Sequence, residues 1–241
     1  MYTLIISYYN QPDMLQAQLE FIRDYPQINV IIVDDGSPHP ARQCIDKRKF
    51  RHSDVKLSLY RIKEDIPWNR SEARNLGAYR AETGWIIQID IDHILPVECA
   101  NRLLEFMPRL DSWYRFPRYR IGRADSTRQK DQISPDATKG KIHPHIDSYL
   151  IRKDWFMKSP YDERYSGCLG GGSPFLARMT RLKGEPLLLP DDIYLEVYTT
   201  DKIKDASVSL NRDRTEYTRR RARIGDACPT QMLMYPWEQV I

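Results

Sequence analysis

The sequence predicts an α/β fold built on a mostly parallel open sheet with helices on both faces. Three observations carry this expectation. A strand, a helix and a second strand fit within the first 33 residues, the spacing of two parallel strands joined by a crossover helix. The same alternation then repeats as far as residue 107, which is how a parallel sheet covered on both sides is written. The chain has 241 residues, 41% hydrophobic and 29% charged, enough for one ordinary core and unlike a disordered or collagen-like chain.

Taken in order, residues 2–7 are apolar and rich in β-branched side chains, a buried strand. Asn10-Gln11-Pro12-Asp13 starts a helix with proline in its first turn, Leu15, Leu19 and Ile22 give it an apolar face, and Pro26 closes it. Residues 29–33 form a second strand ending in Asp34-Asp35-Gly36-Ser37. Residues 55–62 alternate as a strand does. Residues 71–82 read as a helix with Ala73, Leu76, Gly77 and Ala81 on one face, small enough to lie close against the sheet. Residues 85–89 are another buried strand, ending in Asp90-Ile91-Asp92-His93, and a helix over 97–107 is stopped by Pro108.

Beyond Pro108 the texture changes. Residues 113–121 interleave aromatics with Arg115, Arg118 and Arg120, and 122–141 read as a long polar loop. Residues 149–151 suggest a strand, and Gly170-Gly171-Gly172-Ser173 opens a helix running to Met179. Signals weaken past Pro190, and Arg212, Arg214, Arg219, Arg220, Arg221 and Arg223 make a basic segment. One domain is expected, divided into a first half (1–110), a second half (111–200) and a basic C-terminal extension (201–241).

Several classes are excluded. No apolar run approaches the roughly 18–20 residues of a membrane span, and the first residues lack the basic lead of a secretory signal. Cys44, Cys99, Cys168 and Cys228 are widely separated, which argues for reduced thiols in a cytoplasmic setting rather than a zinc site or disulfide scaffold. There is no phosphate-loop or dinucleotide fingerprint. The net charge of +4 is mild; it permits a polyanionic partner without demanding one.

In an open parallel sheet, ligands collect at the carboxyl ends of the strands. Three such ends here are chemically loaded: Ser7-Tyr8-Tyr9-Asn10, Asp34-Asp35, and Asp90-Ile91-Asp92. Clustered carboxylates repel one another unless a divalent metal or a donor-rich ligand holds them. Asp90 and Asp92 suit a hard cation such as Mn or Mg that shares its shell with phosphate oxygens. His143-Pro144-His145 offers two further nitrogen ligands, although histidines beside a proline in a polar loop are more often simply exposed.

These residues carry a resemblance. Leu4-Ile5-Ile6-Ser7-Tyr8-Tyr9-Asn10, Ile31-Ile32-Val33-Asp34-Asp35-Gly36-Ser37, Trp68-Asn69-Arg70-Ser71-Glu72-Ala73-Arg74-Asn75-Leu76-Gly77 and Ile89-Asp90-Ile91-Asp92-His93 follow one another in the order and spacing of a family 2 nucleotide-sugar glycosyltransferase of the GT-A fold. Tyr161-Asp162-Glu163-Arg164-Tyr165 extends the match more weakly. The resemblance implies transfer of a sugar, with inversion, from a nucleotide-diphospho-sugar, usually a UDP-sugar. It gives Asp35 the nucleobase, Ser7, Tyr9 and Trp68 the same pocket, and Arg74 the nucleotide or its diphosphate. It gives Asp90 the ribose or the metal shell and Asp92 the metal directly, with His93 nearby. The first half of the chain would then bind the nucleotide sugar and the second half the acceptor.

The pattern also breaks. Relatives place a carboxylate base in the stretch that here reads Gly170-Gly171-Gly172-Ser173, so Asp162 and Glu163 are left as catalytic candidates, with Asp191 and Asp192 behind them. No histidine follows His145, where many relatives supply a late metal ligand. These losses leave open a protein that binds a nucleotide sugar without turning it over. For the acceptor, the basic segment and the aromatic–arginine run are compatible with nucleic acid, by backbone contacts and base stacking. The compact format also resembles bacteriophage glycosyltransferases that modify DNA bases.

Overall fold

A computed structural model describes the chain except residues 52, 67–68, 124–139, 169–170, 200–213 and 226. Its centre is the expected parallel run. Strand β1 (Tyr2–Tyr8) lies between β2 (Ile28–Asp34) and β4 (Trp85–Ile89), and β3 (Leu57–Ile62) lies outside β2, all four parallel. In the β1–β2 register Ser7 faces Val33 and Tyr8 faces Asp34, so the acidic end of β2 lies beside Ser7-Tyr8-Tyr9.

The sheet is wider and more mixed than the sequence predicts. Beyond β4 come β9 (Tyr149–Arg152) and β6 (Tyr114–Arg115), each antiparallel to its inner neighbour, then β10 (Leu187–Leu188), parallel to β6. On the other edge β12 (Trp237–Gln239) runs antiparallel to β3. A second sheet has the order β5 (His93–Ile94), β11 (Leu195–Thr199), β7 (Arg118–Arg123) and β8 (Lys141–Ile142). It takes up the chain immediately after Asp92.

Six α-helices are described: α1 (Pro12–Ile22), α2 (Arg70–Arg80), α3 (Val97–Glu105), α4 (Lys153–Lys158), α5 (Gly172–Lys183) and α6 (Arg214–Ile224). Period-2 alternation along β1 assigns the first five to opposite faces. Leu4, Ile6 and Tyr8 join one core with Leu15, Leu19 and Ile22 of α1 and Cys99 and Leu103 of α3. Ile5 joins the other with Ala73 and Leu76 of α2, Phe156 of α4, and Phe175 and Met179 of α5. Each such isoleucine or leucine contributes about 1.5–3 kcal/mol by leaving water.

The small-residue face of α2 lets it approach the sheet as expected: a Cβ on Gly77 would lie 2.3 Å from Ile5 Cγ2. Helix α3 ends at Glu105 rather than 107, and Phe106 is extended. Pro108 forces the residue before it out of the helical region, so the helix stops short of Met107. Helix α5 runs four residues past Met179 to Lys183 and is capped by Gly184, whose φ of +79° only glycine adopts cheaply.

The aromatic–arginine run is corrected. Trp113, Tyr114, Phe116 and Tyr119 are all buried, so these rings belong to the core and offer no surface for base stacking. No helix among the described residues is long and apolar enough to cross a membrane, and all four cysteines are free.

Candidate active site

At the ends of β1 and β2, the Asp35 amide donates to the Tyr8 carbonyl at 2.9 Å, which fixes Asp35 beside β1. Its neighbour Asp34 is structural: its carboxylate accepts from the Ser37 and Ala41 amides and from Arg61. Asp35 differs. It is 2% exposed, and its Oδ1 has no hydrogen-bond partner. Burial, then the charges of Glu72, Asp34 and Asp65, push its carboxyl well above the usual range. Ser7 Oγ is likewise buried and unpartnered. Buried polar atoms left unmatched cost about 1–3 kcal/mol each, and here two fall together at strand ends. Tyr9 is close by; it donates to Asp65 Oδ1 at 3.0 Å, and burial followed by that bond raises its hydroxyl to about 12. Trp68 lies outside the described residues.

The end of β4 is crowded with charge. Arg74 is 1% exposed and joins two carboxylates, reaching Asp90 Oδ1 through Nη2 and Asp147 Oδ1 through Nη1 at 3.0 Å. Its guanidinium also stacks 5.2 Å from the centre of the Tyr161 ring. Arg70, one helical turn earlier, reaches the same two carboxylates at 3.5 Å each. His145 Nδ1 lies 3.3 Å from Asp90 Oδ2. Burial alone would raise the Asp90 carboxyl, but Arg74, Arg70, His145 and His93 outweigh it and hold it well below the usual range. Asp92 goes the other way, pushed up to about 6 by burial and by the charge of Asp90.

His93 is buried between two partners: Nδ1 is 2.6 Å from Ser148 Oγ, and Arg118 Nη1 is 3.0 Å from Nε2. A guanidinium can only donate, so Nε2 accepts and Nδ1 carries the proton. Burial lowers its pKa to about 4, and the ring is neutral at pH 7. One ligand atom each from Asp90, His93 and His145 lie within 4.8 Å of one another. A carboxylate with neutral imidazoles is a suitable donor set for a divalent transition ion. Arg118 would have to leave Nε2 before His93 could join. The Asp92 carboxylate lies outside this trio.

The structure thus brings Asp90, His93 and Arg74 together, adds residues that sequence reasoning missed, and draws in His145, which the sequence offered only as a loop histidine. One segment, 143–148, supplies most of them: the His143 carbonyl accepts from Arg118, His145 faces Asp90, Asp147 pairs with both arginines, and Ser148 holds His93. The His-Pro-His triplet was the only signal for it. Asp147 also explains Gly172: a Cβ there would lie 2.3 Å from its Oδ1. The glycine run carries no acid of its own, but a carboxylate from another strand connection presses against it. Gly170 lies outside the described residues.

Asp162 and Glu163, the expected catalytic candidates, are buried in structural bonds. Asp162 accepts from the Arg164 amide and pairs with its guanidinium at 2.7 Å. Glu163 accepts from Asn75 at 2.7 Å and from the amides of Leu233 and Met234, both at 2.9 Å, which ties down the C-terminal segment.

The sequence profile of glycosyl transferase family 2 matches residues 3–165, more than half of the chain, and the chain belongs to that family. No curated protein sequence matches. Among solved structures, S. aureus TarS 1–349 aligns with a TM-score of 0.61 and 14% identity over 87% of this chain and 64% of that one. The same TarS fragment is also known in complex with UDP. The mannosyltransferase PcManGT from Pyrobaculum calidifontis, solved with GDP-Man and Mn2+, aligns with a TM-score of 0.63 and 12% identity over 95% of this chain and 65% of that one. The chain therefore has the GT-A fold of these glycosyltransferases and spans less than two thirds of the length of each.

Proposed function

We propose that the chain transfers a sugar from a nucleotide-diphospho-sugar, with UDP as its nucleotide and a divalent cation at Asp90. The observation that carries this is the pair of unpartnered buried atoms, Ser7 Oγ and Asp35 Oδ1, at strand ends next to the charged cluster of Asp90. A carboxylate held where water is excluded accepts the ring N–H of a pyrimidine and sets base preference. Asp90, His93 and His145 would hold the cation, and its chemistry there is to neutralise the charge that develops on the departing diphosphate. The chain's own arginines add fixed positive charge to the same place.

Incubation with a panel of UDP-sugars and Mn2+ should release UDP, and Asp90→Ala should abolish the release. Tight UDP binding with no turnover on any sugar would instead identify a protein that holds nucleotide sugars without transferring them.

A nucleic-acid acceptor is the second reading, favoured by α6. Arg220 anchors this helix to the carbonyls of Arg164 and Ser166, while Arg219 and Arg223, one turn apart, are exposed. Such a face makes sequence-independent phosphate contacts. DNA retention that weakens with salt and with neutralisation of Arg219 and Arg223 supports it; retention indifferent to both removes it.

A further inference from the structure

We propose that Arg70 is the side chain that meets the donor's diphosphate and that Arg74 is a fixed strut behind it; this rests on the donor reading above. The two arginines are one turn apart on α2 and share the same carboxylates, but their situations differ. Arg74 is 1% exposed, with a 3.0 Å bond to Asp147, a shorter one to Asp90, and its face on Tyr161. Turning it toward a ligand would strand two carboxylates that are 15% and 3% exposed, a heavy penalty. Arg70 is 31% exposed and sits at 3.5 Å from each carboxylate. It can exchange these long contacts for phosphate oxygens while Arg74 continues to balance Asp90 and Asp147.

Position supports the same assignment. Arg70 is the first residue of α2. A cation is disfavoured at a helix N-terminus and an anion is favoured there, so an arginine at this end is best accommodated with an anionic group between it and the helix. Asp90 and Asp147 serve in the free protein, and a diphosphate would serve in the complex. Arg70 also lies between the two ends of the crevice: its charge acts on Asp35 as well as on Asp90. A group reaching both is placed for the segment that joins a base to a sugar. Asp147, pressed against Gly172 of α5, then becomes its resting partner.

The test is calorimetric titration of UDP and of uridine, without added metal, into the wild-type chain, Arg70→Ala and Arg70→Lys. Uridine affinity should be unchanged within about 2-fold in both variants, which also reports an intact base pocket. UDP affinity should fall roughly 10- to 100-fold in Arg70→Ala, the size of a lost charge-assisted hydrogen bond, and recover in part in Arg70→Lys. Unchanged UDP affinity in Arg70→Ala, or an equal loss for uridine, would overturn the assignment. A wild-type chain that binds neither compound would instead bring down the donor reading, and this inference with it.

Discussion

Replacing Arg74 with methionine is expected to destabilise the fold by about 3–5 kcal/mol, the cost of leaving buried charge without its partner. The structure supplies the reasons. The guanidinium is buried, it bonds Asp147 at 3.0 Å and also Asp90, and those carboxylates are 3% and 15% exposed. Arg70 reaches the same two carboxylates only at 3.5 Å. Domains have only about 5–15 kcal/mol in total, and for a chain of this length 1 kcal/mol moves the melting temperature by about 2–4 °C. The expected fall is therefore about 6–20 °C, read by circular dichroism or urea titration. Adding Asp147→Leu removes the stranded charge along with its partner. The double variant should be at least about 2 kcal/mol more stable than the sum of the single changes implies. A single-variant loss below about 1 kcal/mol, or strict additivity, would show that the arginine is not the strut described here.

Two further outcomes follow from packing and protonation. Gly77→Ala gains helix propensity of about 1 kcal/mol, yet its methyl would lie 2.3 Å from Ile5 Cγ2. Overpacking of about 1–3 kcal/mol wins, and a melting temperature that rises would contradict the close approach of α2. Glu72 is raised from 4.5 to about 7 by burial and then by Glu163. The folded state therefore holds its proton more tightly than the unfolded chain, and wild-type stability should be lost as pH rises from about 4.5 through 7. Glu72→Gln should gain on wild type between pH 5 and pH 8; a difference that stays flat or shrinks over that range refutes the assignment.

The parallel half of the fold was legible because its signals are local. Continuous apolar strands, a proline-started helix and a small-residue face each act within a dozen residues, and β1, α1, β2, α2 and β4 appear where those signals lie. The outermost strands of the sheet were not. β6, β10 and β12 are two or three residues long, too short for any periodicity, and exist because a neighbouring strand offers them bonds. The aromatic–arginine run misled for a related reason: interleaving does not say which member faces inward. At the site, acids clustered at strand ends could be read because carboxylates are costly without a partner. Asp147 could not, and His145 was read only as a loop histidine, since both meet Asp90 and the arginines only through a turn closed by long-range pairing of β9 with β4. Glu163 shows the converse: its position in the chain gave no sign that its oxygens accept from residues seventy positions away.

The most direct test of the account is titration of UDP in the presence of Mn2+ into the wild-type chain and into Asp35→Ala. Binding should strengthen when Mn2+ is added and weaken at least roughly 10-fold when the buried carboxylate is removed. Binding indifferent to both the ion and Asp35, or no binding at all, would contradict the account.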